Sequence, residues 1–283
     1  MIDYKGTAVE DLYETALNIY SKGWAERNGG NISCLLSEEE LAAIADKAGV
    51  IRKIPLGLRL PALEGKIFLA TGTGKYFKNM KKSPETCMGI VRICGGGTEG
   101  ELLWGLNDGG NFTSELASHL YSHDARLKQD KNHKVIVHTH PTNLISMTFV
   151  HKMNEKDFTN TLWKMCTECL LVFPDGIGVI PWMISANNAI GKLTAEKMEE
   201  HRLVVWGQHG IYGSGENFDE ALGLIETAEK AAEIYLKIRQ FPIEESIGDG
   251  DLKDLAEAYR LSFRADYLDL GTTEKIYGCK KSS

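Results

Sequence analysis

The stretch VIVHTHPTN, residues 135 to 143, constrains the chain more than any other. Val135, Ile136 and Val137 form a β-branched run, which suits a pleated, half-buried surface and reads as a buried strand. Side chains alternate across a strand, so His138 and His140 leave it on the same face. Two same-face imidazoles at a strand end are half of a divalent-metal site. Zinc accepts imidazole nitrogen, and catalytic zinc usually has three protein ligands and one open position. The His-x-His pattern also arises by chance, and alone it leaves both readings open.

The best third ligand is His209 in VVWGQHG. It too follows an apolar strand, and the flanking glycines let the backbone turn tightly around a metal. His119, His123, His133, His151 and His201 lie in helical or charged surroundings and read as surface residues. Glu115 opens a helix at TSEL. It can be read as a fourth ligand, as a general base, or as compensation of the helix dipole in the first turn, and spacing alone favours the last. Three stretches read as anion cradles. RNGGN (27–31) offers backbone donors and two Asn amides, TGTGK (71–75) adds hydroxyls and Lys75, and Thr113 and Ser114 stand at a helix start, where phosphate binds well. None fits the P-loop pattern, so a nucleotide is not implied.

The 283 residues are 43% hydrophobic and 25% charged, ordinary for a globular protein with a sizeable core. The net charge of -7 provides no basic field for nucleic acid. The N-terminus lacks the apolar region of a secretory signal, and no run of about eighteen apolar residues suggests a membrane span. Six cysteines at this length are no disulfide framework, and the chain reads as cytoplasmic with reduced thiols. Cys166 and Cys169 form C-x-x-C, but a zinc ribbon needs a second pair, so these two read as structural.

Periodicity predicts helices at 8–22 (closed by Gly23), 37–49 (Ser37 and Glu40 in capping-box register), from Thr113 or Ser114 onward, at 143–150, near 192–201, at 217–240 (Asn217 and Glu220 in capping-box register) and at 251–262. Strands are expected after RNGGN, at 66–70, as a pair through GIVRICGGGTEGELLWG, at 135–138, near 169–173 and 177–181, and as a pair through RLVVWGQHGIYGSG. Strands and helices mix without a strict βαβ rhythm. The expected fold is α/β, a central mixed β-sheet flanked by helices on both faces. No boundary splits the chain, so 1–283 reads as a single domain with a poorly patterned tail from about 262.

In order along the chain, RNGGN, TGTGKYF, LWGL with TSEL, HTHPTNLI, TECLLVFPDGIGVIPWM and HGIYGSG together resemble the class II aldolase family. That family also holds 4-epimerases, dehydratases and the adducin head. The resemblance runs from about residue 8 to 260. GWAERNGGN, ECLLVFPDG and WMI with the long C-terminal helix resemble most specifically the members that act on rhamnulose 1-phosphate. The resemblance implies a carbon–carbon lyase that splits this phosphorylated ketose into dihydroxyacetone phosphate and L-lactaldehyde. It implies one zinc per chain on His138, His140 and His209, and Glu115 as the acid/base. It implies Asn28, Asn31, Thr73, Thr113 and Ser114 at the phosphate, where Thr73 replaces a serine and keeps its hydroxyl. Glu168 matches a second carboxylate at the aldehyde end. A four-fold homotetramer with sites near subunit contacts is also implied. Against this stand a relative acting on fuculose 1-phosphate, a 4-epimerase or a dehydratase, all using the same metal, and a non-catalytic adducin-like scaffold. A hydrolytic metalloenzyme lacks its expected lysine and distant aspartate.

Overall fold

The computed structural model describes residues 4–45 and 49–270. The first half runs α1 (Ala8–Ser21), β1 (Asn31–Leu36), α2 (Glu38–Ile44), β2 (Arg52–Pro55), β3 (Ile67–Thr71), α3 (Pro84–Cys87), β4 (Met88–Cys94), β5 (Glu99–Gly105) and α4 (Leu116–Gln129). The second half runs β6 (Val135–Thr139), α5 (Thr142–Val150), α6 (Glu155–Trp163), α7 (Thr167–Val172), β7 (Ile177–Ile180), α8 (Asn188–Met198), β8 (Leu203–Trp206), β9 (Gly210–Gly215), α9 (Phe218–Ile238) and α10 (Asp249–Ala258). The strands form one sheet in the order β2-β5-β4-β3-β1-β6-β9-β8-β7. The β7–β8 pair is parallel and its neighbours are antiparallel, so the sheet is mixed as expected.

Strand β6 lies inside the sheet, and all five of its residues are buried. Helices cover both faces. Val135 and Val137 face a core built with α1, α5, α6, α7 and α9. Ile136 faces the other way, toward α4 and α8, with Val204, Trp206 and Tyr212. His138 shares the Ile136 face by the period of two, so the sheet delivers it into the layer under α4. Asn217 caps α9 as expected, accepting from the Glu220 amide at 2.8 Å. The Glu220 carboxylate reaches the Glu216 amide instead of closing the box on Asn217. Ser37 and Glu40 close theirs on α2, and the end of that expected helix (46–48) lies outside the described residues.

Several expectations need correction. Residues 169–173 are not a strand but belong largely to α7. Cys169, Leu170 and Phe173 are buried at helical spacing, and a short apolar run does not distinguish a buried strand from a helix. The pair Cys166 and Cys169 opens this helix with the two sulfurs 3.1 Å apart. Helix α4 is not capped by Thr113 or Ser114. Glu115 occupies the cap position without a side-chain cap bond, and Thr113 Oγ1 accepts from the Glu115 amide at 3.3 Å. Helix α8 begins four residues early because Asn187 caps it through the amides of Ala189 and Ile190. Edge strand β2 and helix α6 carried no expectation. The tail from 262 is patterned at its start, where Tyr267 and Leu268 enter the core, and the rest of it lies outside the described residues.

The largest correction concerns histidine. His119, His123, His133 and His201 are buried, not at the surface. Burial pulls His119 and His133 down to about 3, and it holds His123 well below the ordinary imidazole value, helped by the charges of His133 and His119. Unfolding frees these groups to take up protons near the ordinary imidazole value of about 6.5. Their contribution is therefore complete above that pH and is lost progressively as pH falls from there toward about 3. Each group costs up to about 1.4 kcal/mol per pH unit in that window. Urea midpoints measured from pH 8 to pH 5, with and without chelator, should fall steeply below about pH 6.5 in both series. A flat profile would contradict the burial of these imidazoles as neutral groups.

Candidate active site

His138 and His140 stand at the end of β6, and His209 in the tight β8–β9 turn brings a third imidazole against them. Their donor nitrogens lie within 4.8 Å of one another. Gln208 adopts a left-handed backbone (φ 54°) in that turn, held by its amide to Thr148 Oγ1 at 3.0 Å. Gly210 follows because nothing larger fits: a Cβ there would lie 2.5 Å from the Thr139 carbonyl oxygen and 2.9 Å from the His140 ring. The loop holding RNGGN docks on the same strand end, where the Trp24 carbonyl accepts from the His140 amide at 3.0 Å and from Thr139 Oγ1 at 2.6 Å.

Two of the imidazoles, His138 and His140, are anchored so that a lone pair points inward. His138 Nδ1–H donates to the Ile211 carbonyl at 3.0 Å, which leaves Nε2 as the free acceptor. That Nε2 is buried and has no hydrogen-bond partner among the described residues. His140 Nδ1–H donates to Glu26 Oε1 at 2.8 Å, which frees its Nε2 in the same way. Burial first, then the charges of His140 and His209, hold His138 neutral far below the ordinary imidazole range. Burial also brings His209 down to about 4, the His140 charge adding to it. A neutral imidazole whose other nitrogen is anchored, as His138 is, suits a metal ligand. An orphaned, buried Nε2 beside two more imidazoles fits a divalent cation.

Glu115 is buried next to this cluster, its Oε2 3.4 Å from His138 Nε2 and its Oε1 4.0 Å from His209 Nε2. Oε2 accepts from Asn31 Nδ2 at 2.8 Å and from the Tyr212 hydroxyl at 3.2 Å. The side chain makes no cap bond to its own helix and is held by Asn31 and Tyr212 instead. Burial pushes its carboxyl above the usual carboxylate range, against the opposing pull of the Asn31 and Tyr212 hydrogen bonds and the His140 charge. Both oxygens border the cluster, but both bonds fall on Oε2, and among the described residues Oε1 accepts no hydrogen bond.

The sequence model of the class II aldolase and adducin N-terminal domain matches residues 10–236. The chain belongs to the class II aldolase and adducin family. It is 51% identical to the rhamnulose-1-phosphate aldolase of Enterococcus faecalis over 262 residues, covering 92% of this chain and 94% of that one. It is 49% identical to the rhamnulose-1-phosphate aldolase of Listeria monocytogenes over the same length, covering 92% and 96%. Among solved structures it resembles a sugar-phosphate aldolase from Thermotoga maritima with a TM-score of 0.72 at 28% identity, covering 84% of this chain and 97% of that one.

The remaining positions implied by the resemblance differ in their surroundings. The Gly72–Phe112 bridge, the Thr113 amide on the Thr71 carbonyl (2.9 Å) and the Thr73 amide on the Asn111 carbonyl (2.9 Å) bring TGTG alongside NFTS. Thr73 and Ser114 are exposed there and Thr113 is buried. Asn28 is exposed in the RNGGN loop. Lys75 is paired with Asp108 rather than left free in its loop. Asn31 differs, since its amide is engaged by Glu115 on one side and His119 on the other. Glu168 is exposed in the first turn of α7, and among the described residues no hydrogen bond or ion pair joins it to the histidine cluster.

Three partners escaped the sequence reading. Tyr212 stacks on His138 with centroids 4.3 Å apart, because β6 and β9 pair these two residues directly. Its signal was available: it follows His209 by three positions on a strand. Glu26 and His119 are brought in by the loop and by α4 from distant sequence, and no local spacing marks them. If Glu26 anchors a metal ligand, Glu26→Ala should weaken divalent-metal affinity about 10- to 100-fold, the usual cost of losing such an anchor. His209→Ala should remove the metal outright. Both are read by metal analysis after dialysis against graded chelator, and unchanged retention in His209→Ala would eliminate the site.

Proposed function

We propose that this chain is a zinc-dependent aldolase that cleaves L-rhamnulose 1-phosphate to dihydroxyacetone phosphate and L-lactaldehyde. The observation that carries the reading is the convergence of three imidazoles, their nitrogens within 4.8 Å of one another, beside a buried carboxylate whose Oε1 accepts no hydrogen bond among the described residues. The similarity to rhamnulose-1-phosphate aldolases over nine-tenths of the chain supports the choice of substrate. A non-catalytic scaffold gives no reason to bury a carboxylate beside an unpartnered imidazole nitrogen.

His138, His140 and His209 would hold the zinc. When bound, the ion supplies a Lewis acid for the ketone oxygen, where negative charge develops as the carbon–carbon bond breaks. In the condensation direction Glu115 Oε1 takes a proton from the hydroxyl-bearing carbon of dihydroxyacetone phosphate. The electron pair left on that carbon forms the new bond to the aldehyde carbon, and the aldehyde oxygen, which takes up the carbonyl electron pair, gains a proton from solvent. Cleavage is the reverse: the substrate hydroxyl gives its proton to solvent, the carbon–carbon bond breaks, and Glu115 returns a proton to carbon. A carboxyl raised by burial is suited to both halves. Asn31 and Tyr212 hold Oε2 and so aim Oε1.

The phosphate is assigned to Asn28, Asn31, Thr73, Thr113 and Ser114, where hydroxyls and amides of two loops meet the start of α4. Remote binding there positions the reacting carbons. Asn31 would add its remaining N–H to the anchor it already provides for Glu115. Glu168 is assigned to the aldehyde end. Its exposed position away from its own cluster suits a role across a subunit contact, in the homotetramer expected of the cytoplasmic enzyme. Among the described residues no helix is long and apolar enough to cross a membrane.

The direct test is product analysis after incubation with rhamnulose 1-phosphate and fuculose 1-phosphate side by side. Lactaldehyde and dihydroxyacetone phosphate should form much faster from the first. Preference for the second, or epimerised product without cleavage, would replace the assignment. Asn28→Ala and Ser114→Ala each remove a donor to a charged group, worth roughly 1.5–3 kcal/mol. KM should rise by about one to two orders of magnitude if the loss is uniform, and an unchanged KM in both would move the phosphate elsewhere. Glu115→Gln keeps size but carries no proton, so kcat should fall about 10²- to 10⁴-fold. Exchange of the dihydroxyacetone phosphate proton with solvent should slow in step, while zinc content stays intact. Fast exchange in this variant would transfer the proton to another group.

A further inference from the structure

Asn31 is where the site meets a hydrogen-bonded chain through the interior. Its Oδ1 bonds His119 Nε2. His119 Nδ1 lies 2.7 Å from Ser33 Oγ, Ser33 Oγ lies 2.8 Å from His123 Nε2, and His123 Nδ1 lies 2.9 Å from His133 Nε2. Every member is buried. The chain leads from the active-site end of the sheet, along β1 and α4, to the turn before β6. There His133 lines a surface cleft of about 430 Å³ with Lys131 and Lys134.

Each neutral imidazole has one N–H and one lone pair, so the direction of one bond fixes the next. Asn31 Nδ2 donates to Glu115, and Oδ1 must then accept, which puts the His119 proton on Nε2. His119 Nδ1 accepts the Ser33 hydroxyl proton, and Ser33 Oγ accepts from His123 Nε2–H. His123 Nδ1 accepts from His133 Nε2–H. The last nitrogen, His133 Nδ1, is left as a bare acceptor, and it is buried without a hydrogen-bond partner among the described residues. The opposite direction fails at both ends. It would bury an unpaired N–H on His133, and it would turn the Asn31 carbonyl onto the Glu115 carboxylate, acceptor against acceptor. Hydrogen bonds aligned in one direction polarise and strengthen one another.

We propose that His133, His123, Ser33 and His119 form a directional relay that locks the Asn31 amide with its N–H on Glu115 Oε2. They are positioning residues, since none touches substrate. The proposal rests on the reading of Glu115 as the proton carrier, and the tests separate the two.

Nitrogen NMR of histidine-labelled holoenzyme reads the tautomers directly. His119, His123 and His133 should each show a pyrrole-like Nε2 and a pyridine-like Nδ1, and an Nδ1–H on any of the three overturns the relay. That result is independent of Glu115: a mixed tautomer pattern with a crippled Glu115→Gln defeats the relay alone. Correct tautomers with an unaffected Glu115→Gln defeat the proton-carrier reading alone. For function, His133→Gln retains an N–H for His123 whereas His133→Leu does not. His133→Leu should lower kcat and the rate of dihydroxyacetone phosphate proton exchange together by about threefold to tenfold, the span of one net hydrogen bond. KM and zinc content should hold, and His133→Gln should recover most of the loss. A role in packing alone predicts the reverse order, because leucine suits a buried apolar site better than glutamine. Wild-type turnover in His133→Leu overturns the positioning role. If that variant does not fold, Ser33→Ala breaks the same chain with a smaller change in volume and is held to the same outcome.

Discussion

A carboxylate buried against imidazoles depends on hydrogen-bond donors, and Glu115 finds both of its own on one oxygen. Asn31 comes from the start of β1 and Tyr212 from the middle of β9, and both strands pair with β6. The register is strict because a slip of one residue would move every side chain to the opposite face. His138 lies opposite Asn31 on one side and Tyr212 on the other, so one row across three strands holds the carboxylate's two donors and a metal-ligand candidate between them. The sheet is thus the device that sets these distances, and the helices on its two faces exclude the water that would otherwise compete.

The site is costly for the fold. His138 Nε2 is left without a partner, and unpaired buried polar atoms cost about 1–3 kcal/mol each. The carboxyl of Glu115 is raised by the same burial. Stabilising contacts elsewhere must offset this, and the chain supplies them where no chemistry is needed. Glu229 on α9 accepts from the Asn143 and Leu144 amides at 2.9 and 2.7 Å, satisfying the start of the helix that follows His140. Arg202 binds both Asp175 and Glu220, tying β8 to the turn before β7 and to the start of α9.

Local patterns were readable wherever one element decides its own fate. The β-branched run before His138, the Ser37 box and the Asn217 cap carried their assignments into the structure. The same is true of the mixed sheet, which followed from the irregular order of strands and helices. What was illegible depends on the partner. LLV ends a helix, closed at Phe173, because Cys169, Leu170 and Phe173 find one core face, which the run itself does not declare. The histidines of α4 sit among polar neighbours in sequence, but β1 presents Ser33 between two of them and removes them from water. Glu26 was invisible for a similar reason, since it meets His140 across more than a hundred residues.

The position of Tyr212 has a consequence for how the protein is made. Every candidate ligand and Glu115 itself has been synthesised by residue 209, but the strand that seats the carboxylate follows them. Helix α9, whose Glu229 holds the segment after His140, comes later still. A growing chain therefore carries a complete set of donor atoms with no geometry to use them. Pairings this distant in sequence form late and slowly, so the metal would be captured by a nearly finished fold and would then resist its loss by mass action.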